Sequence, residues 1–323
     1  MATRTIQPGR KTPHGLRCVL LLAPALVVLV GCVVWRPASA LTTIATAALR
    51  LSGIESRYVQ LGPYRIHYFA GGAGEPLVLV HGLGGRALDF TLIMPALAKQ
   101  HRVYALDLLG YGASDRPNVD YSITLETNIL RQFLDSQSLT RVSLNGWSMG
   151  GWIALNLAAQ APERIDRLVL LDSAGIKFTP TFDLRLFSPH TMAEIQELEK
   201  LLTPHPGRIP AFVLRDFLRQ LQAEDWVIER TVASMITGRE FMDGKLATVT
   251  MPVLMVWGKQ DVVTPLSIGE AMHRQMPQSV LAVLDGCGHL APLECHGRVL
   301  TEMQRFLSAN PPLPAGVHEV LAH

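Results

Sequence analysis

The chain has 323 residues, 48% of them hydrophobic and 17% charged, with a net charge of +2. That apolar share excludes a disordered chain and supports a large core. Arg4, Arg10, Lys11 and Arg17 carry part of the positive charge, so the rest is near neutral and offers no basic stripe for nucleic acid. The length fits one catalytic domain of about 250 residues with an appendage.

Residues 18–34 (CVLLLAPALVVLVGCVV) hold no charge, follow Arg10, Lys11 and Arg17, and run into Trp35-Arg36-Pro37. A basic flank before an apolar run reads as an export or membrane-targeting segment, here 1–40. Three fates compete. The run is about the minimum for an uncleaved anchor, which would place the catalytic domain outside the cytoplasm, periplasmic or extracellular. Cleavage after Ala38-Ser39-Ala40 would secrete a soluble domain, and Leu29-Val30-Gly31-Cys32 resembles a lipidation motif. The continuation past Cys32 to a Trp-Arg pair favours the anchor. Residues 41–57 read as a linker, with a short amphipathic helix over 41–56.

A catalytic domain is expected over 58–310. Residues 64–69 (YRIHYF) alternate like a half-solvated strand, and 71–74 (GGAG) form a turn. Residues 77–80 (LVLV), 103–106, 142–144, 168–171 (LVLL), 253–256 (VLMV) and 280–284 read as short buried strands. Helices are expected over 87–99, 122–134, 150–159, 267–276 and 299–307. This alternation implies an α/β fold with a mostly parallel, doubly wound sheet. Residues 176–246 break the pattern. Helical stretches at 191–202 and 210–221 lie among prolines 180, 189, 204, 206 and 210, with Phe178, Phe182, Phe187, Phe212, Phe217 and Trp226. Such an insertion reads as a helical cap over the sheet edge where ligands bind. The tail, 311–323, reads as a loose end.

Gly146-Trp147-Ser148-Met149-Gly150 follows a strand and opens a helix, as in the nucleophile elbow that thrusts a serine above a sheet. A serine needs a base to take its proton. His289, in Asp285-Gly286-Cys287-Gly288-His289 after the last strand, is placed for that. His273 and His296 fall inside helices. Asp261, in Trp257-Gly258-Lys259-Gln260-Asp261, follows another strand and is placed to orient the imidazole. Asp172, after 168–171, is its rival. For the oxyanion, Met149 N–H supplies one donor and Leu83 N–H, in His81-Gly82-Leu83-Gly84-Gly85, the second. His81 is read as bracing that loop. Cys287 and Cys295 flank His289. They are expected as two unpaired thiols, with a bridge as the alternative in an oxidising compartment. No metal or organic cofactor is suggested.

Together HGLGG at 81, DLLGYGASDRP at 107, GWSMGG at 146, WGKQD at 257 and GCGH at 286 resemble the α/β-hydrolase superfamily over about 58–307. The resemblance implies an eight-stranded sheet with a helical cap, and makes Asp107 and Asp115 structural. Within the superfamily the chain is similar to bacterial lipases and monoacylglycerol-lipase-like esterases. It is also similar to meta-cleavage-product hydrolases, which cut C–C bonds. The latter typically carry tryptophan after the catalytic histidine, where this chain has Leu290. The expectation is a serine hydrolase of lipid-like or medium-chain carboxylic esters. The alternatives are a C–C hydrolase and a non-catalytic, ligand-binding member. The expected partners are a small-molecule or lipid ester and, through the N-terminal segment, a membrane.

Overall fold

The computed structural model describes residues 36–321. The apolar run at 18–34 lies outside them, and no helix among the described residues is long and apolar enough to cross a membrane. The first helix, α1 (Pro37–Leu51), starts ahead of the expected 41–56 because Pro37 suits a first turn, where an N–H would be unpaired anyway.

A hairpin of β1 (Ile54–Leu61) and β2 (Tyr64–Gly71) leads to β3 (Glu75–Val80). The expected helix over 87–99 is instead a 3₁₀ turn, Ala87–Phe90, and a one-turn helix, α2 (Met94–Leu97). Pro95 is the reason, since it is tolerated only at the start of a helix. Then come β4 (His101–Leu106), α3 (Ile123–Ser136), β5 (Val142–Trp147), α4 (Met149–Gln160) and β6 (Ile165–Leu171). The insertion follows, with a 3₁₀ turn at Leu184–Phe187, α5 (Met192–Leu202) and α6 (Ala211–Met235). The chain returns through β7 (Val253–Gly258), α7 (Leu266–Gln275), β8 (Val280–Leu284), α8 (Ala291–Glu294), α9 (His296–Ser308) and β9 (Gly316–Val320).

The sheet has nine strands in the order β1-β2-β4-β3-β5-β6-β7-β8-β9. Only the β1–β2 and β2–β4 pairs are antiparallel. The ninth strand comes from the tail, read above as loose; Gly316–Val320 pairs in parallel with Val280–Leu284. Side chains of β3 alternate between two cores, one per sheet face. Val78 and Val80 pack with Ile129, Phe133, Trp152 and Met272. Leu77 and Leu79 pack with Phe90, Met94, Met303 and Phe306. Each such side chain, fully buried, contributes roughly 1.5–3 kcal/mol. From β3 the order runs to β4 on one side and β5 on the other, which opens a crevice at the strands' C-terminal ends.

The insertion is tied down by polar contacts. Ala38 N–H of α1 donates to the buried Asp216 carboxylate of α6 at 2.9 Å. Glu240 accepts the Ile123 and Thr124 N–H groups at 3.1 and 2.6 Å. These are orphan donors of the first turn of α3, where a carboxylate also meets the positive end of the helix dipole.

One buried carboxyl gives a pH-dependent stability. Glu126 Oε2 accepts Leu109 N–H at 3.2 Å, Oε1 has no partner among the described residues, and burial raises the pKa from its ordinary 4.5 to about 8. The folded state keeps this proton while the unfolded chain releases it. The group's contribution is therefore full below about pH 4.5 and lost as pH rises through about 8. Glu126→Gln fixes the neutral form. The expected result is a melting temperature that falls less between pH 5 and 8 than the wild type's, by about 5 °C; equal slopes would refute it.

Candidate active site

The elbow places Ser148 at the crevice. Ser148 has φ 55° and ψ −119°, a conformation an L-residue adopts only when its surroundings impose it. Close packing at the flanking glycines imposes it. A Cβ on Gly146 would lie 2.3 Å from Gly150 O, and one on Gly150 2.3 Å from Val80 O. Ser148 N–H donates to Leu171 O at 2.9 Å, and Ser148 O accepts Ala174 N–H at 3.1 Å. The turn is thus locked to the end of β6.

Ser148, His289 and Asp261 come together in one hydrogen-bonded line. Ser148 Oγ lies 2.9 Å from His289 Nε2, and His289 Nδ1 lies 2.8 Å from Asp261 Oδ2. Asp261 Oδ1 accepts the Val263 and Thr264 N–H groups at 2.8 and 3.0 Å. A carboxylate so supplied with donors is fixed as an acceptor, so the imidazole carries its proton on Nδ1 and offers Nε2 as a base. The serine hydroxyl then donates to Nε2, the geometry of an activated nucleophile.

The Leu83 loop packs on the serine: a Cβ on Gly82 would lie 3.0 Å from Ser148 Cβ. The N–H groups of Leu83 and Met149 have no acceptor among the described residues, and both residues line the cavity that Ser148 enters. His81 braces this loop. Its Nδ1–H donates to Gly82 O at 2.8 Å and Nε2 accepts Leu108 N–H at 3.0 Å, while burial lowers its pKa. Asp107 accepts the Ala87 and Ala113 N–H groups at 2.6 and 2.8 Å and lies 2.7 Å from His67 Nδ1. Asp115 accepts Arg65 N–H at 2.8 Å. Both knit the loop after β4 to the sheet.

Several contributors escape a reading of the chain. Trp147 Nε1–H donates to His289 O at 3.0 Å, anchoring the histidine loop to the elbow. Thr264 Oγ lies 2.8 Å from Asp261 Oδ2, 2.9 Å from Asp172 O and 3.3 Å from His289 Nδ1. The spacing Asp261-x-x-Thr264 is a side-chain-to-backbone turn pattern and was the available signal. Glu294 accepts Gly288 N–H at 2.6 Å and the Thr203 hydroxyl, and Leu290 N–H donates to Leu202 O at 3.2 Å. These bonds join the end of α5 to the histidine loop. Cys287 and Cys295 are bridged, not free thiols. The fold brings the two ends of the His289 loop together, which sequence separation alone does not show.

Ser148 opens into a cavity of about 280 Å³ lined mainly by Leu83, Met149, Trp152, Phe178, Phe187 and Phe241. Phe182 also lines it, whereas Phe212 is exposed and Trp226 packs on Tyr121. A wider depression of about 1140 Å³ shares Phe182, Leu184, Val232 and Ile236 with it and is rimmed by Asp183, Arg185, Glu197 and Lys200.

A model of the alpha/beta hydrolase family matches residues 77–302. An uncharacterised protein of Mycobacterium tuberculosis is 30% identical over 272 residues, covering 77% of this chain and 80% of its own length. A 2-hydroxymuconate semialdehyde hydrolase of a Pseudomonas species is 31% identical over 255 residues, covering 73% of this chain and 88% of its own. A solved structure described as a membrane phospholipase A and bacterial virulence factor superposes with a TM-score of 0.78 at 26% identity, covering 90% of this chain and 97% of its own.

Proposed function

The chain belongs to the alpha/beta hydrolase family and is a hydrolase; from that premise we propose that it cleaves carboxylic esters of medium-chain acyl groups through an acyl-enzyme. The observation that carries this reading is the line Asp261–His289–Ser148 ending in an apolar cavity. In the proposed reaction Ser148 Oγ attacks the ester carbonyl as His289 Nε2 takes its proton. The N–H groups of Leu83 and Met149 hold the oxyanion, where such donors typically contribute about 2.7–4 kcal/mol each. His289 returns the proton to the leaving alcohol, the C–O bond breaks, and a water activated by the same imidazole releases the acid. The similarity to a membrane phospholipase A supports a lipid-like substrate.

The cavity volume supports a medium acyl length. Taking a methylene as about the size of a water, whose share of liquid volume is about 30 Å³, about 280 Å³ corresponds to roughly eight to ten carbons. Each methylene buried there contributes about 0.8 kcal/mol. With p-nitrophenyl esters, kcat/KM should peak near octanoate or decanoate and fall about tenfold or more toward acetate and palmitate. A profile that peaks at acetate, or no turnover of any ester, would reject the reading.

A second reading, C–C bond cleavage, is favoured by the similarity to the 2-hydroxymuconate semialdehyde hydrolase. Leu290, where such enzymes resemble one another in carrying tryptophan, speaks against it. Turnover of a ring-cleavage product with inert p-nitrophenyl esters would select it. A fluorophosphonate probe that failed to label the protein would select a non-catalytic ligand-binding role.

A further inference from the structure

The second carboxyl behind the triad has no part in the proposed reaction, yet it is built into the same knot. Asp172 directly follows β6 with φ 42°, a left-handed conformation that aspartate and asparagine tolerate. It is fully buried. Its Oδ1 accepts Gly258 N–H at 2.7 Å, its N–H donates to Val256 O at 3.0 Å, and its carbonyl faces the Thr264 hydroxyl at 2.9 Å. Leu171, just before it, holds Ser148 N–H. Asp172 therefore sits between the nucleophile's turn and the acid's turn.

Its Oδ2 has no hydrogen-bond donor among the described residues, and the Asp261 carboxyl is its neighbour across the Thr264 hydroxyl, which lies 2.9 Å from Asp172 O and 2.8 Å from Asp261 Oδ2. Two neighbouring carboxyls in a buried site are disfavoured as a doubly ionised pair, and one proton between them removes the repulsion. The donor count says where that proton sits. Asp261 faces the Val263 and Thr264 N–H groups and His289 Nδ1, and shares the one Thr264 hydroxyl hydrogen with the Asp172 carbonyl. Asp172 receives a single N–H. The oxygen left without a donor is the one that carries the hydrogen.

We propose that Asp172 is a positioning residue: as the neutral partner of Asp261 it donates an O–H···O⁻ hydrogen bond that clamps this carboxylate against His289. The inference rests on the triad reading above. Burial first, and then the negative charge of Asp261, hold the Asp172 carboxyl well above the usual carboxylate range. Its nearest charged influences are Asp261 after β7 and Glu294 of α8, both carboxyls, with His289 beyond Asp261. A charge-assisted O–H···O⁻ bond is among the stronger hydrogen bonds.

The test uses the purified full-length chain, p-nitrophenyl octanoate and a fluorophosphonate probe. Asp172→Asn keeps both the acceptor for Gly258 and a donor for Asp261, and carries no charge. It should hold kcat/KM within about threefold of wild type and leave the acidic limb of the pH profile in place. Asp172→Ala removes the clamp, and kcat should fall roughly 10- to 100-fold with KM little changed, the signature of a misplaced base. If Asp172 were ionised instead, Asp172→Asn would delete a negative charge beside Asp261–His289 and move the acidic limb to lower pH. A shift of about half a unit or more overturns the proposal, as does an Asn variant as impaired as the Ala variant. Should Asp172→Ala fail to fold, the Asn profile decides alone. A wild-type chain that neither labels nor turns over ester sinks the serine-hydrolase reading itself; labelling and turnover with a shifted Asn profile sink only the role of Asp172.

Discussion

Ser148→Ala is expected to lower ester turnover by at least about 10⁴-fold, equivalent to more than about 5 kcal/mol of transition-state stabilisation. The size follows from the geometry. No other hydroxyl is hydrogen-bonded to His289 Nε2 among the described residues, so the variant loses covalent catalysis and keeps only binding and the oxyanion donors. Thr264 Oγ lies on the Nδ1 side of the ring at 3.3 Å and cannot substitute. Fluorophosphonate labelling should disappear with turnover, while octanoate product binding stays. Retained turnover would mean that the nucleophile is elsewhere.

Asp261→Asn should cost about 10⁴-fold in kcat with KM changed by no more than about threefold. The reason is the proton on the imidazole. An amide nitrogen in place of Oδ2 would donate to His289 Nδ1 and drive the ring hydrogen to Nε2, the atom that must accept from Ser148. The side chain would still be held by the Val263 and Thr264 N–H groups, so the defect is a tautomer and not a displaced loop. The comparison with Asp172→Asn is decisive between the two carboxyls. A large loss at 261 and a small one at 172 is the expected pattern; the reverse would transfer the acid's role to Asp172. Steady-state kinetics on the two purified variants, with circular dichroism to check the fold, reads this directly.

Much of this site was legible because each residue in it follows its own strand. The apolar runs at 142–144, 253–256 and 280–284 mark strand ends, and Ser148, Asp261 and His289 come within a few residues of them. What stayed hidden depends on contacts between distant segments. Trp147 bonding to His289 O, Glu294 reaching Thr203, and Asp172 and Asp261 meeting at the Thr264 hydroxyl span separations that no periodicity encodes. The Cys287–Cys295 bridge overturns the expected free thiols, because it depends on the loop's course and not on sequence separation. The length of α6 was underestimated at 210–221 because the following QAEDWVIER is heavily charged, yet Val227, Ile228 and Thr231 bury one face of it. Strand β9 carries little signal because GVHEV is a short edge strand after Pro311, Pro312 and Pro314, with two of its five residues exposed and none buried.

The two bonds that join Leu202 and Thr203 to the histidine loop bear on how substrate enters. If the end of α5 lifted, it would pull Gly288 and Leu290 with it and draw the imidazole off the serine. An opening that leaves the base in place must pivot about residues 202–203. The far edge of the cap, near Leu184–Phe187, places Phe182, Leu184 and Phe187 on the cavity wall and is held by neither of these two bonds. On the proposed ester reading, an acyl chain admitted at that edge would leave the base in register, and entry would be mechanically separate from the three reacting side chains.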